Sequence, residues 1–80
     1  MKQPKTCFII KLSKITDSGE LRAKVRRCIE LSGYKKKVSL IAHDLDYELV
    51  CYKANLDDAI NLAVNLNWFV SEAFVEIMEL

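Results

Sequence analysis

Few residues in this chain have types and spacing that could do chemistry. His43 is the only histidine, and it stands beside Asp44. Such a pair needs a third member and a nucleophile before it resembles a catalytic triad, and the neighbouring sequence supplies neither. Asp44, Asp46 and Glu48 alternate, as carboxylate ligands would on one side of an extended strand. The run lacks the glycine and the distant glutamate of a calcium-binding EF-hand loop, so no metal is expected. Cys7, Cys28 and Cys51 are odd in number, widely spaced and outside any C-x-x-C motif. That usage fits reduced thiols acting as small apolar side chains rather than a disulfide framework or a zinc site. No P-loop and no Gly-x-Gly-x-x-Gly run occurs. The expectation is therefore a protein that is not an enzyme, takes no cofactor and works by binding.

Charge is the feature that points to a binding surface. Residues 1–37 hold eleven of the twelve Lys and Arg residues against three acids, and residues 38–80 hold Lys53 alone against eight acids. The halves are formally +8 and −7, which sum to the net +1. Arg22, Lys24, Arg26 and Arg27 cluster in one segment, and Lys35, Lys36 and Lys37 follow one another soon after. These seven form a candidate basic patch for an acidic protein surface or a nucleic-acid backbone. Solvated surface, with some pairing between basic and acidic elements, explains the same pattern without a partner, since exposed ion pairs contribute only about 0–1 kcal/mol. Self-association of a basic face with an acidic face is the third reading.

The elements that must carry these residues can be read from periodicity. Eighty residues suffice for one domain, here residues 1–80. Lys5 to Leu12 is a short β-branched and aromatic run, hence a buried strand. Asp17-Ser18-Gly19-Glu20 has the spacing of a capping box and opens a helix. Leu21, Val25, Cys28, Ile29 and Ser32 share one face of that helix, and Ser32-Gly33 stops it. Val38 to His43 and Tyr47 to Ala54 read as a β-hairpin around Asp44-Leu45-Asp46. Asn55 caps a second helix, with Asp57 and Asp58 in its first turn. Its apolar face is predicted from Leu56, Ala59, Ile60, Ala63 and Val64, and its end at Asn65-Leu66-Asn67. Trp68 and Phe69 then form an aromatic pair expected in the core, with an exposed partner anchor as the alternative. Ser71 to Glu79 completes the chain as a strand.

The resulting β-α-β-β-α-β order predicts an α+β fold, a ferredoxin-like two-layer sandwich. The alternative is βαββα, with residues 55–80 in one long helix. In the sandwich one sheet face lacks helices, and Ile9, Ile41, Val50 and Tyr52 are predicted to make that face partly apolar. An exposed apolar face of several hundred Å² marks an interface, so a partner or a homodimer contact is expected there.

Several families share this topology. Cys7-Phe8-Ile9-Ile10-Lys11-Leu12 resembles the first strand of the RNA-recognition motif, but Tyr47-Glu48-Leu49-Val50-Cys51-Tyr52 lacks the basic-Gly-aromatic run of its third strand. The glycine-rich first loop of acylphosphatases is absent at Ser13-Lys14-Ile15-Thr16. The Gly-rich strand-to-helix turn of ACT-type regulatory domains is absent too. Asn55-Leu56-Asp57-Asp58-Ala59-Ile60-Asn61-Leu62-Ala63, followed by a terminal strand, resembles the ending of small phage-encoded proteins that inhibit host enzymes. That likeness implies a modulator of a larger complex.

No apolar run approaches the ~20 residues of a membrane span, and the run Cys7 to Ile10 is too short for a signal-peptide core. The expected location is the cytoplasm, with no membrane partner. The function expected is a small protein-interaction module, a modulator or inhibitor of a larger complex; the alternative is a nucleic-acid binder using the first helix and the Lys35–Lys37 loop.

Overall fold

A computed structural model describes residues 6–79 and gives them the order β1 (Thr6–Ser13), α1 (Gly19–Leu31), β2 (Val38–Ala42), β3 (Tyr47–Ala54), α2 (Leu56–Phe69) and β4 (Phe74–Glu79). Of the first predicted strand, Lys5 lies outside the described residues. The strands form one antiparallel sheet in the order β2-β3-β1-β4. The chain is α+β, and its order is compatible with a ferredoxin-like arrangement.

Strand alternation divides the sheet into two faces. Phe8, Ile10 and Leu12 of β1 and Tyr47, Leu49 and Cys51 of β3 are buried, and they join Val25, Cys28 and Ile29 of α1 and Ala59, Leu62, Ala63 and Leu66 of α2 in one core. Val38 and Leu40 of β2, with Val75 and Ile77 of β4, pack against its margins. The register is tight: Ile10 faces Leu49 on one side and Ile77 on the other.

Local chemistry starts and stops the helices. Ser18, not Asp17, caps α1, its hydroxyl accepting from the Leu21 N–H at 3.0 Å. The predicted capping box at Asp17 and Glu20 does not form, because Asp17 is held elsewhere: its carboxylate accepts the Tyr47 hydroxyl proton and pairs with Arg22. Gly33, at φ +83°, takes the left-handed turn that ends α1. The capping box forms instead on α2, between Asn55 and Asp58. The hairpin closes through the His43 N–H donating to the Asp46 carbonyl at 2.9 Å.

Residues 55–80 do not continue as one helix. α2 runs past the predicted end at Asn67 to Phe69, so Trp68 and Phe69 belong to its last turn. Val70 then leaves helical geometry at φ −129°, ψ 75° and is fully buried. The break gives β1 a second neighbour along Leu12↔Val75 and Ile10↔Ile77. A continuous helix would have left those β1 backbone groups without a strand partner.

Candidate functional site

The outer face of the sheet bears the residues predicted for it. Across it, Ser39, Val50, Ile9 and Met78 lie in one register row. The next row is Ile41, Glu48, Lys11 and Glu76, so Lys11 sits between two carboxylates. Ile41, Tyr52, Phe74 and Met78 are exposed, whereas Ile9 and Val50 are half-buried by their neighbours. Lys14, at φ +60°, lies over the Phe74 ring with its ammonium 5.7 Å from the centroid. Ile9, Ile41, Val50 and Tyr52 thus share one face, to which sequence reasoning had not assigned Met78 or Phe74. Strand pairing supplies the missing signal, because register alone decides which of two adjacent apolar residues in Phe74-Val75 and Ile77-Met78 points outward.

The RNA-recognition likeness does not hold at the first strand, although Tyr52 and Phe74 are exposed aromatics on this face. Base stacking needs an aromatic presented on the surface. Phe8, the aromatic of that first strand, is instead in the core.

The seven predicted basic residues do not form one patch. Successive helical residues turn by about 100°, so Arg22, Lys24, Arg26 and Arg27 spread around the exposed arc of α1. Arg22 is half-buried, its Nε 3.1 Å from an Asp17 oxygen. Lys24 lines a depression with Lys14, Glu20 and Glu72. Arg26 and Lys35 lie on the other flank, along a groove of about 320 Å³ floored by Ile29, Val38 and Leu40. Arg27, Lys36 and Lys37 are exposed. Nor do the two helices meet through opposite charges. The side-chain hydrogen bonds found beside that seam join α2 to the segment just after α1: the Tyr34 hydroxyl donates to Asp58 at 3.2 Å, Asn61 donates to Tyr34 at 3.3 Å and Asn65 donates to Ser32 at 2.9 Å.

At the hairpin end, His43, Asp46 and Glu48 bring one ligand atom each within 4.8 Å of one another. Asp44, singled out with them by alternation, is in the turn and outside this group. His43 Nε2 is 3.1 Å from a Glu48 oxygen, which accounts for the cluster without an ion. One imidazole and two carboxylates are donors suited to a zinc-type cation, with water completing the shell.

The cysteines behave as predicted for apolar fillers. All three are free thiols. Burial pushes the Cys28 thiol up and holds Cys51 at about 11, with Cys7 adding to the second. Burial, then the hydrogen bond to Asp17, raises Tyr47.

The surface that sequence reasoning missed lies on α2. Its buried face is Ala59, Leu62, Ala63 and Leu66. Leu56, Ile60 and Val64, assigned to the core by periodicity, are exposed, and Trp68 is 82% exposed, correcting the expectation of core packing. These four recur every fourth residue, and Ile60, Val64 and Trp68 border a groove of about 430 Å³ between α2 and β4, walled by Phe74, Val75 and Ile77.

Comparison with family models, with curated proteins and with solved structures yields no match for this chain. No helix among the described residues is long and apolar enough to cross a membrane.

Proposed function

We propose that this chain is a non-enzymatic protein-interaction module with a ferredoxin-like sandwich, acting in the cytoplasm as a modulator of a larger complex. The observation that carries this reading is the uncovered sheet face. Ile9, Val50 and Met78 make a continuous apolar row there, rimmed by exposed Ile41, Tyr52 and Phe74. Apolar side chains grouped in this way are stabilised by a partner that removes them from water, at roughly 25 cal/mol per Å². Lys35, Lys36 and Lys37 precede the edge strand of the same sheet and would steer an acidic partner toward it.

Site-specific photo-crosslinking in native cell extract tests the reading. A photoreactive phenylalanine analogue replacing Tyr52 should give one dominant protein adduct, and the same group replacing Arg27 should not. The adduct should weaken in the Lys35→Glu/Lys36→Glu/Lys37→Glu variant. Equal labelling from both positions would overturn the assignment.

The exposed Lys35–Lys37 run also favours a second reading, nucleic-acid binding. A binder making about four phosphate contacts on duplex DNA would show a log–log salt slope near −3.6. Absence of DNA and RNA binding at low salt would remove it. The two carboxylates flanking Lys11 on the sheet face weigh against a phosphate backbone lying there.

A further inference from the structure

The charge asymmetry of the sequence becomes an asymmetry of sheet edges. One edge is β2, with the α1 flank above it; the other is β4, with the α2 flank above it. Arg26 and Lys35, with one acid, Glu30, border the first groove, and Lys36 and Lys37 lead into its strand, leaving this edge basic on balance. Glu72, Glu76 and Glu79 lie before and along the second strand, and residues 54–80 contain no Lys or Arg. Each edge also has an apolar component: Ile29, Val38 and Leu40 on the basic side, and Ile60, Val64 and Trp68 on the acidic side.

We infer that these edges are complementary to each other, so that a second copy of this chain docks with its β2 and α1 flank against the β4 and α2 flank of the first. Strand direction permits it. Neighbours throughout β2-β3-β1-β4 are antiparallel, so β2 and β4 run in opposite senses, and an equally oriented second copy continues the sheet antiparallel. One register matches both faces. Setting Ile77 opposite the second copy's Val38 also sets Val75 opposite Leu40 beneath the helices and Phe74 opposite Ile41 on the outer face. Glu79 then meets Lys36, and Glu76 lies diagonal to Lys37, within reach across a strand pair. A shift by two residues in either direction breaks this match, placing Ile77 against Lys36 or Glu76 against Ile41. The exposed α2 stripe would cover the second copy's α1–β2 groove. A β4–β4 pairing in the register that sets Val75 against Ile77 would instead oppose Glu76 to Glu76, which disfavours the symmetric arrangement. The contact is head to tail, using different surfaces on the two copies.

Sedimentation velocity on the purified chain tests this without any other partner. At low salt the average mass should rise with concentration above the 9.2 kDa of one chain. It should fall back at 1 M salt, where the screening length is about 3 Å. Glu76→Lys/Glu79→Lys should be monomeric, because both its edges are basic. Lys36→Glu/Lys37→Glu should be monomeric, because the docking register then sets Glu79 and Glu76 against new carboxylates. An equimolar mixture should associate again, and the recovery also shows that both variants are folded. Emission of Trp68, the only tryptophan, should shift to the blue on association. A wild-type chain that stays monomeric at all concentrations, variants that associate alone, or a mixture that does not would each overturn the inference. The sheet-face crosslink is read separately, so loss of one reading leaves the other standing.

Discussion

The two helices lie on the same face of the same sheet yet present opposite surfaces. α1 buries Val25, Cys28 and Ile29 and turns Lys24, Arg26 and Arg27 to solvent. α2 buries Ala59, Leu62, Ala63 and Leu66 and still exposes Leu56, Ile60, Val64 and Trp68. A helix polar on its outer side needs only the sheet beneath it. A helix apolar on both sides has buried one face and left the other for something else. The difference locates the unexplained apolar surface at the β4 edge.

The sharpest way to break that comparison is to truncate both sides of α2. Leu66→Ala should cost about 2–5 kcal/mol, the range for emptying a close-packed site. Trp68→Ala, measured by urea unfolding at dilute concentration, should stay within about 0.5 kcal/mol, as an exposed side chain does. Comparable losses would mean that Trp68 is structural and that the two faces of α2 do not differ.

Alkaline pH probes the core beneath the helices. The Cys51 thiol is held at about 11 in the fold, against about 8.5 for a free thiol. Because the folded value is the higher one, the native state binds the proton more tightly than the unfolded chain. The associated stability is complete below about pH 8.5 and is lost as pH rises through 11. Tyr47, also raised by burial, acts in the same sense above the ordinary tyrosine range. The urea midpoint should fall between pH 8.5 and 11, and Cys51→Ala should fall less steeply. An identical slope in the variant would exclude the thiol as the source.

The helix starts should differ in the same measurement. Asn55→Ala removes one arm of a reciprocal cap and should cost about 1–2 kcal/mol, the upper part of the usual range. Ser18→Ala removes a single hydrogen bond and should cost less, because Asp17 still ties this end to Tyr47. Equal costs would deny the capping box any extra weight. Smallest of all, Arg22→Ala should change stability by no more than about 1 kcal/mol, its guanidinium and the Asp17 carboxylate both being partly exposed.

Much of this could be read before the fold was known, and the failures share a cause. Strand alternation, Gly33 and Asn55 are local signals, and each marks a feature found at that place. The outward setting of Val50 and Tyr52 follows from strand alternation, and the burial of Leu49 and Cys51 between them agrees with it. Asp17 was misread because its competing partner, Tyr47, is thirty residues away. Leu56, Ile60 and Val64 were misread because α2 carries two apolar arcs, and helical period does not say which one meets the sheet. The basic residues were identified correctly as types but not as a group, since a run along the chain scatters when it is wound into a helix.

The sequence by itself determined the first four elements, the capped start of the second helix and the division of charge between its halves, because each depends on residue type and short spacing. Only the tertiary structure decided that the charged halves flank opposite edges of one sheet, that Phe8 is inside and Trp68 outside, and that an acidic strand lies beside an apolar helix stripe. Those outcomes depend on which strands pair and which helix face covers them, and pairing is fixed by contacts between residues far apart in the chain.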